Sequence, residues 1–286
     1  MKLEGRRLST NVEDRSGGSR KAMGGGLGLG GVIIVGLIIW LTGGDPTDAL
    51  QYAGQTYDTG TSTEYQASAE EQELYEFASI ILAGTEDVWT EIFKENGKTY
   101  VPPKLVIFND RVQSGCGGAT SQSGPFYCSA DKCVYLDLSF FSGMKKQLGT
   151  SGDFAWAYVI AHEVGHHVQN LLGTLGQAHQ KMQQSSEKVA NQISVRLELQ
   201  ADFYAGIWGY YDNKDFGSLE DGDIEEGLNA ATAIGDDLLQ QQAYGRTVPD
   251  SFTHGTSAQR TRWLKKGLTT GNLSLGDSFS PKYENL

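Results

Sequence analysis

Apolar side chains recur every three to four positions from about Glu70 onward, and Leu74, Phe77, Ile81, Val88, Ile92 and Phe93 share one broad face. That period marks a helix burying one side, and Asn96-Gly97 is a natural stop for it. KLVIFN (104–109) and CVYLDL (133–138) are short, rich in β-favouring residues and bounded by turn formers, so both read as strands. The Gly/Ser-rich stretch between them reads as a long loop, a place where functional residues often sit. Helical periodicity returns from about Asp153 to Leu172, with Gly173 as its stop, from about Ser186 to Tyr210, and from about Asp223 to Gln242. A last short helix follows Gly255. There is no internal repeat. The pattern predicts a helix-rich α+β domain with a small β-sheet, covering residues 69–286.

A different pattern precedes it. From Ala22 to Gly44 no residue is charged, and the centre reads VIIVGLIIWL. Such a stretch is long enough, as a helix, to span a hydrocarbon core of about 30 Å. Nine glycines would also suit a linker, but Val32–Leu41 is too apolar for an exposed one. A cleaved signal peptide is the other competitor, and the long leader and weak cleavage site TGGDPTDA disfavour it. The expectation is therefore a cytoplasmic basic tail (1–22), one transmembrane helix (23–43), a flexible Thr/Ser/Gly-rich linker (44–68) and an extracytoplasmic domain (69–286). Lys2, Arg6, Arg7, Arg15, Arg20 and Lys21 outnumber Glu4, Glu13 and Asp14 in the tail, which sets that orientation by the positive-inside rule.

Charge and cysteines add limits. With 35 acidic against 23 basic side chains the net charge is -12, which argues against a general nucleic-acid binder. Cys116, Cys128 and Cys133 lie close in sequence. In an oxidising compartment two of them could pair, with Cys116–Cys128 across the Gly-rich loop favoured and one thiol left over. A cysteine zinc site is the alternative, but there is no C-x-x-C pair and no neighbouring histidine.

The chemistry concentrates in H-E-V-G-H, His162 to His166, on the helix expected at 153–172. Residues four apart share a helix face, so both imidazoles can reach one zinc ion (Zn2+), leaving a position open for water. Glu163 lies beside the metal and can act as general base on water activated by it. The bland reading is a chance match, which the scarcity of histidine, five in all, disfavours. His167 points about a hundred degrees away on the helix and reads as a surface or core-edge residue. A third ligand is required. Glu198 and Asp202, on one face of an otherwise apolar helix, offer a ligand and a carboxylate that hydrogen-bonds the far nitrogen of a ligand histidine. His179 is the rival third ligand, but it sits in GQAHQKMQQ, which reads as an exposed connection.

H-E-x-x-H followed by E-x-x-x-D on a later helix resembles the gluzincin metallopeptidases. More closely, the chain resembles the bacterial neutral zinc metallopeptidase family of small single-pass membrane proteins. The matching segments are STNVEDR (9–15), the apolar anchor, GPFYCSADKCVYLDLSFF (124–141), AHEVGHHVQ (161–169), ELQADFYAG (198–206) and THGTSAQR (253–260). The resemblance implies a zincin-like peptidase fold with Glu198 as third ligand, Asp202 behind the histidines and a Cys116–Cys128 pair; Cys133 departs from it.

The expected function is hydrolysis of peptide bonds in protein or peptide substrates, with His254 either steadying the oxyanion or, with Arg260, anchoring its loop. Two rivals remain at this level: a membrane-tethered zinc-binding interaction protein without peptidase activity, and a zinc amidase acting on cell-wall peptide.

Overall fold

The computed structural model describes residues 1–16, 68–144 and 152–286. The expected transmembrane helix (23–43) and nearly all of the expected linker lie outside the described residues. Among the described residues no helix is long and apolar enough to cross a membrane.

Helix α1 (Ala69–Glu95) starts at Ser68, whose hydroxyl accepts the Glu71 N–H at 3.2 Å while the Glu71 carboxylate accepts the Ser68 N–H at 2.8 Å. This reciprocal cap satisfies two otherwise orphaned donors. The apolar face foreseen from the sequence is buried, with Trp89, Ile81 and Leu82 almost wholly enclosed. The two expected strands form as β2 (Lys104–Phe108) and β6 (Cys133–Asp137), paired in parallel. Both are nearly continuous apolar runs, as strands covered on both faces should be.

The stretch between them is more ordered than a loop. It holds the hairpin β3 (Arg111–Ser114) and β4 (Gly117–Thr120), then β5 (Phe126–Cys128), which pairs antiparallel with β6. These strands have only three or four residues each, so no alternating pattern reveals them. Tertiary contacts fix them instead. The Asp131 carboxylate accepts the Gly115 N–H at 2.6 Å and the Tyr135 hydroxyl at 2.7 Å, and a Cys116–Cys128 disulfide ties the hairpin to β5. Cys133 is a buried free thiol.

The sheet's fourth strand comes from the N-terminus: β1 (Val12–Asp14) runs parallel to β2, giving the order β1-β2-β6-β5. Residues 1–16, expected as a tail set apart from the domain, are instead packed into it. Their basic charge meets acids of the domain, Arg6 with Asp212 at 2.7 Å and Arg7 with Glu86 at 2.9 Å and Asp87 at 2.7 Å.

After a short turn of helix, α2 (Ser139–Gly143), the helical layer begins with α3 (Asp153–Leu171). The polar stretch around His179 forms a helix rather than a connection, α4 (Thr174–Gln183), because Leu175 and Ala178 supply a narrow buried edge. Helix α5 (Glu187–Phe216) is the spine of the layer. The single helix expected at 223–242 is two, α6 (Asp223–Ala233) and α7 (Asp236–Tyr244). The break falls at Gly235, where a Cβ would lie 2.2 Å from the Ser257 nitrogen, so the start of α8 (Ser257–Thr270) occupies the space a continuous helix would need. Helix α8 crosses α5 at a glycine pair. A Cβ on Gly206 would stand 2.3 Å from the Leu264 carbonyl, and one on Gly267 would stand 2.3 Å from that of Phe203.

Candidate metal centre

Two helices build the centre. His162 and His166 project from α3 and Glu198 from α5, and one ligand atom from each lies within 4.8 Å of the others. Glu198 Oε2 is 3.2 Å from His162 Nε2, and Oε1 is 3.3 Å from His166 Nε2. The helices approach this closely because Gly165 faces Ala201: a Cβ there would be 2.9 Å from the Ala201 carbonyl oxygen. The glycine inside the H-E-V-G-H run therefore has a packing reason.

Each histidine is oriented from behind. His162 Nδ1 donates to Asp202 Oδ1 at 2.8 Å, and His166 Nδ1 donates to Gln169 Oε1 at 2.9 Å. Both rings are thus held with Nε2 toward Glu198, the tautomer a metal ligand needs. Asp202, fully buried, also accepts the Tyr158 hydroxyl at 2.6 Å and two Arg260 N–H groups, each at 2.9 Å. Burial works to raise its pKa, but Arg260 and His162 outweigh it and hold the carboxyl below the usual range. Gln169 is anchored in turn, donating to the Leu197 carbonyl at 2.7 Å.

Glu163 is buried next to His162 and outside the ligand trio. Burial is the largest influence on its pKa and raises it, while the neighbouring His162 and His166 work the other way. Glu198 is held well below the usual range: burial opposes this, but His166, His254 and His162 prevail.

His254 stands within electrostatic reach of Glu198 on the loop before α8. Asp236, at the first position of α7, builds that loop by accepting the backbone N–H groups of Thr253, His254 and Gly255 at 2.8, 2.7 and 3.0 Å. Its other oxygen lies 3.4 Å from His254 Nδ1, which also meets Thr253 Oγ1 at 2.9 Å. His179 is exposed on α4 and outside the ligand trio. His167 is wholly buried, with Nε2 donating to the Val101 carbonyl at 2.7 Å and Nδ1 accepting from the Tyr127 hydroxyl at 2.9 Å. It is a tie between helix and sheet.

Sequence reasoning missed Tyr158, Gln169 and Asp236. Tyr158 and Gln169 had a signal, lying four before His162 and three after His166 on the same helical side. Asp236 had none, since an acid at a helix start is ordinary.

The donor set fits zinc. Two neutral imidazoles and a carboxylate are a ligand set known for catalytic zinc, and His162, His166 and Glu198 would supply it. A helix-borne H-E-x-x-H and a glutamate from a second helix form a cluster that could hold a metal, the kind of centre a zinc metallopeptidase would use. Residues 1–279 match the family described as "putative neutral zinc metallopeptidase", and the chain belongs to that family. It is 50% identical to the uncharacterized protein YpfJ of Escherichia coli (strain K12), over 98% of this chain and 99% of the relative. It is 47% identical to the uncharacterized protein Rv2575 of Mycobacterium tuberculosis (strain ATCC 25618 / H37Rv), over 63% of this chain and 64% of the relative. No solved structure matches.

Proposed function

We propose that the protein is a gluzincin-type zinc metalloendopeptidase acting on protein or peptide substrates. Glu163 carries the reading: a buried carboxylate beside His162 that is not part of the ligand trio. A site holding a metal only for structure would gain nothing from a second buried acid, whose desolvation is costly. The raised pKa of Glu163 moves it toward the range in which a carboxylate is an effective base near neutrality.

Zinc, when bound, would polarise the scissile carbonyl and acidify water. Glu163 accepts the proton of the attacking water and passes it to the leaving amine. His254, with Nδ1 held by Asp236 and Thr253, offers Nε2 to the oxygen on which negative charge develops. Asp202 and Gln169 keep both ligand rings in place throughout.

Replacing Glu163 with Gln tests the assignment, because the amide keeps the shape and loses the basicity. Bound zinc should stay near that of the wild type, while hydrolysis of a peptide library drops by about 10²–10⁴-fold. Wild-type turnover in the variant would reject Glu163 as the base. A wild-type protein that binds zinc and cleaves no peptide would favour the zinc-binding interaction protein instead.

A further inference from the structure

We infer that residues 1–16 and the zinc domain occupy one compartment, with the N-terminal strand a built part of the catalytic unit. The arrangement expected from the charge pattern, with the tail inside a membrane and the domain outside, would separate them.

The first observation is the sheet. Strand β2 is enclosed, with Leu105, Val106 and Ile107 at 0, 0 and 1% exposure. On the β1 side its backbone groups are satisfied by the N-terminal segment: Leu105 N–H donates to the Asn11 carbonyl at 2.8 Å, and Arg15 N–H donates to the Ile107 carbonyl at 2.7 Å. Removing residues 1–16 would uncover this edge and leave its polar groups without their partners. The same sheet continues through β6 to β5, whose Tyr127 hydroxyl meets His167 and Asn170 of the H-E-V-G-H helix, each at 2.9 Å.

Side chains give a second and independent observation. Arg6 grips Asp212 of α5 through two nitrogens, at 2.7 and 3.3 Å, and the Asp212 side chain is 1% exposed. Glu86 of α1, also buried, accepts from Arg7 at 2.9 Å, Ser9 at 2.5 Å and Asn11 at 2.7 Å. Buried carboxylates without cationic or hydrogen-bonding partners are strongly disfavoured, so the domain is built to receive this segment.

The third observation concerns the chain's path. Ser16 and Ser68, the described residues that flank residues 17–67, line one and the same cleft, together with Asp14, Tyr75 and Asn109. The chain therefore departs and returns at one place on the domain. A single crossing by residues 23–43 would put Ser16 and Ser68 on opposite faces of a hydrocarbon core about 30 Å thick. A second crossing would have to use residues 44–67, which include Asp45, Asp48, Asp58 and Glu64. Charges of that kind are costly inside a bilayer.

Two measurements on the full-length protein test this. The first is a double-mutant cycle of Arg6→Met and Asp212→Asn, read as melting temperature. Arg6→Met should cost several degrees alone and much less when Asp212 is already Asn, whereas additive effects would overturn the packing of the tail. The second places a cysteine at exposed Glu4 in one variant and exposed Glu284 in another, and treats intact and then lysed cells with a membrane-impermeant maleimide. Both sites should label in the same condition. Labelling of one before lysis and the other only after it would overturn the shared compartment. Neither readout uses zinc or hydrolysis, so this inference and the peptidase reading can fail separately.

Discussion

At the scale of single residues, the centre depends as much on what stands behind the ligands as on the ligands. Glu198→Ala removes a carboxylate whose two oxygens lie 3.2 Å from His162 and 3.3 Å from His166, whereas His179→Ala changes an exposed side chain outside the trio. Zinc titration should therefore show a large loss of affinity for the first and little for the second; equal losses would reopen the third ligand. Gln169→Leu keeps roughly the bulk but removes the acceptor of the His166 Nδ1 proton. Loss of such an orienting partner typically costs about 10–100-fold in metal affinity. The same titration should find it here, and an unchanged affinity would show that His166 is positioned by packing alone. His254 calls for a different readout. Asp236→Asn leaves the metal ligands untouched while weakening the partner of Nδ1, so kcat should fall with zinc content unchanged. If Asp236→Asn melts early and retains its activity per folded molecule, Asp236 and the loop it builds serve stability alone.

Elements with a strong period were legible in the sequence, and elements fixed by partners were not. Helix α1, the H-E-V-G-H helix and α5 each carry an apolar stripe, and β2 and β6 are unbroken apolar runs, so their existence followed from local pattern. The hairpin, β5 and β1 are too short to show an alternation, and the split between α6 and α7 answers to the backbone of α8. The pairing of His162 with His166 was legible because helical spacing alone brings them together; Asp236 was not, because it belongs to another element. The contact between α3 and α5 is where an element-scale prediction belongs. A methyl on Gly165 would press on the Ala201 carbonyl oxygen at 2.9 Å and Cα at 3.1 Å, between Glu198 and Asp202 on the chain. Gly165→Ala should push the helices apart, lowering both melting temperature and zinc affinity. Gly176→Ala is the control: it lies inside α4 with nothing within 4 Å of the added carbon. There alanine should be neutral or stabilise by up to about 1 kcal/mol. If both substitutions behaved alike, close approach at Gly165 would not be what holds the centre together.

For the whole molecule, the helical layer and the sheet meet around His167, and that junction gives the protein a pH dependence. The imidazole is wholly buried between α3, the Val101 backbone and Tyr127 of β5. Its hydrogen bonds suit the neutral ring, one nitrogen donating and the other accepting. Burial is the main cause that pulls its pKa down from 6.5 to about 4, with a small push the same way from Lys132 and an opposing one from the Val101 carbonyl. An unfolded chain therefore binds a proton at this residue between about pH 6.5 and about pH 4 while the folded chain does not. Stability rises with pH wherever the unfolded state holds more protons, so this contribution is complete above pH 6.5 and is lost as the solution is acidified through that window. Down to pH 5 the loss from this one group is about 2 kcal/mol. Most carboxylates stay ionised over that range, which separates the effect from general acid unfolding. His167→Gln keeps a donor and an acceptor but cannot titrate. Urea unfolding of the two proteins between pH 8 and pH 5 should show a steeper decline for the wild type, with the variant less stable at pH 8 and the gap narrowing toward pH 5. Parallel declines would mean that His167 titrates alike in the folded and unfolded chains, and that the junction between helices and sheet does not exclude the proton.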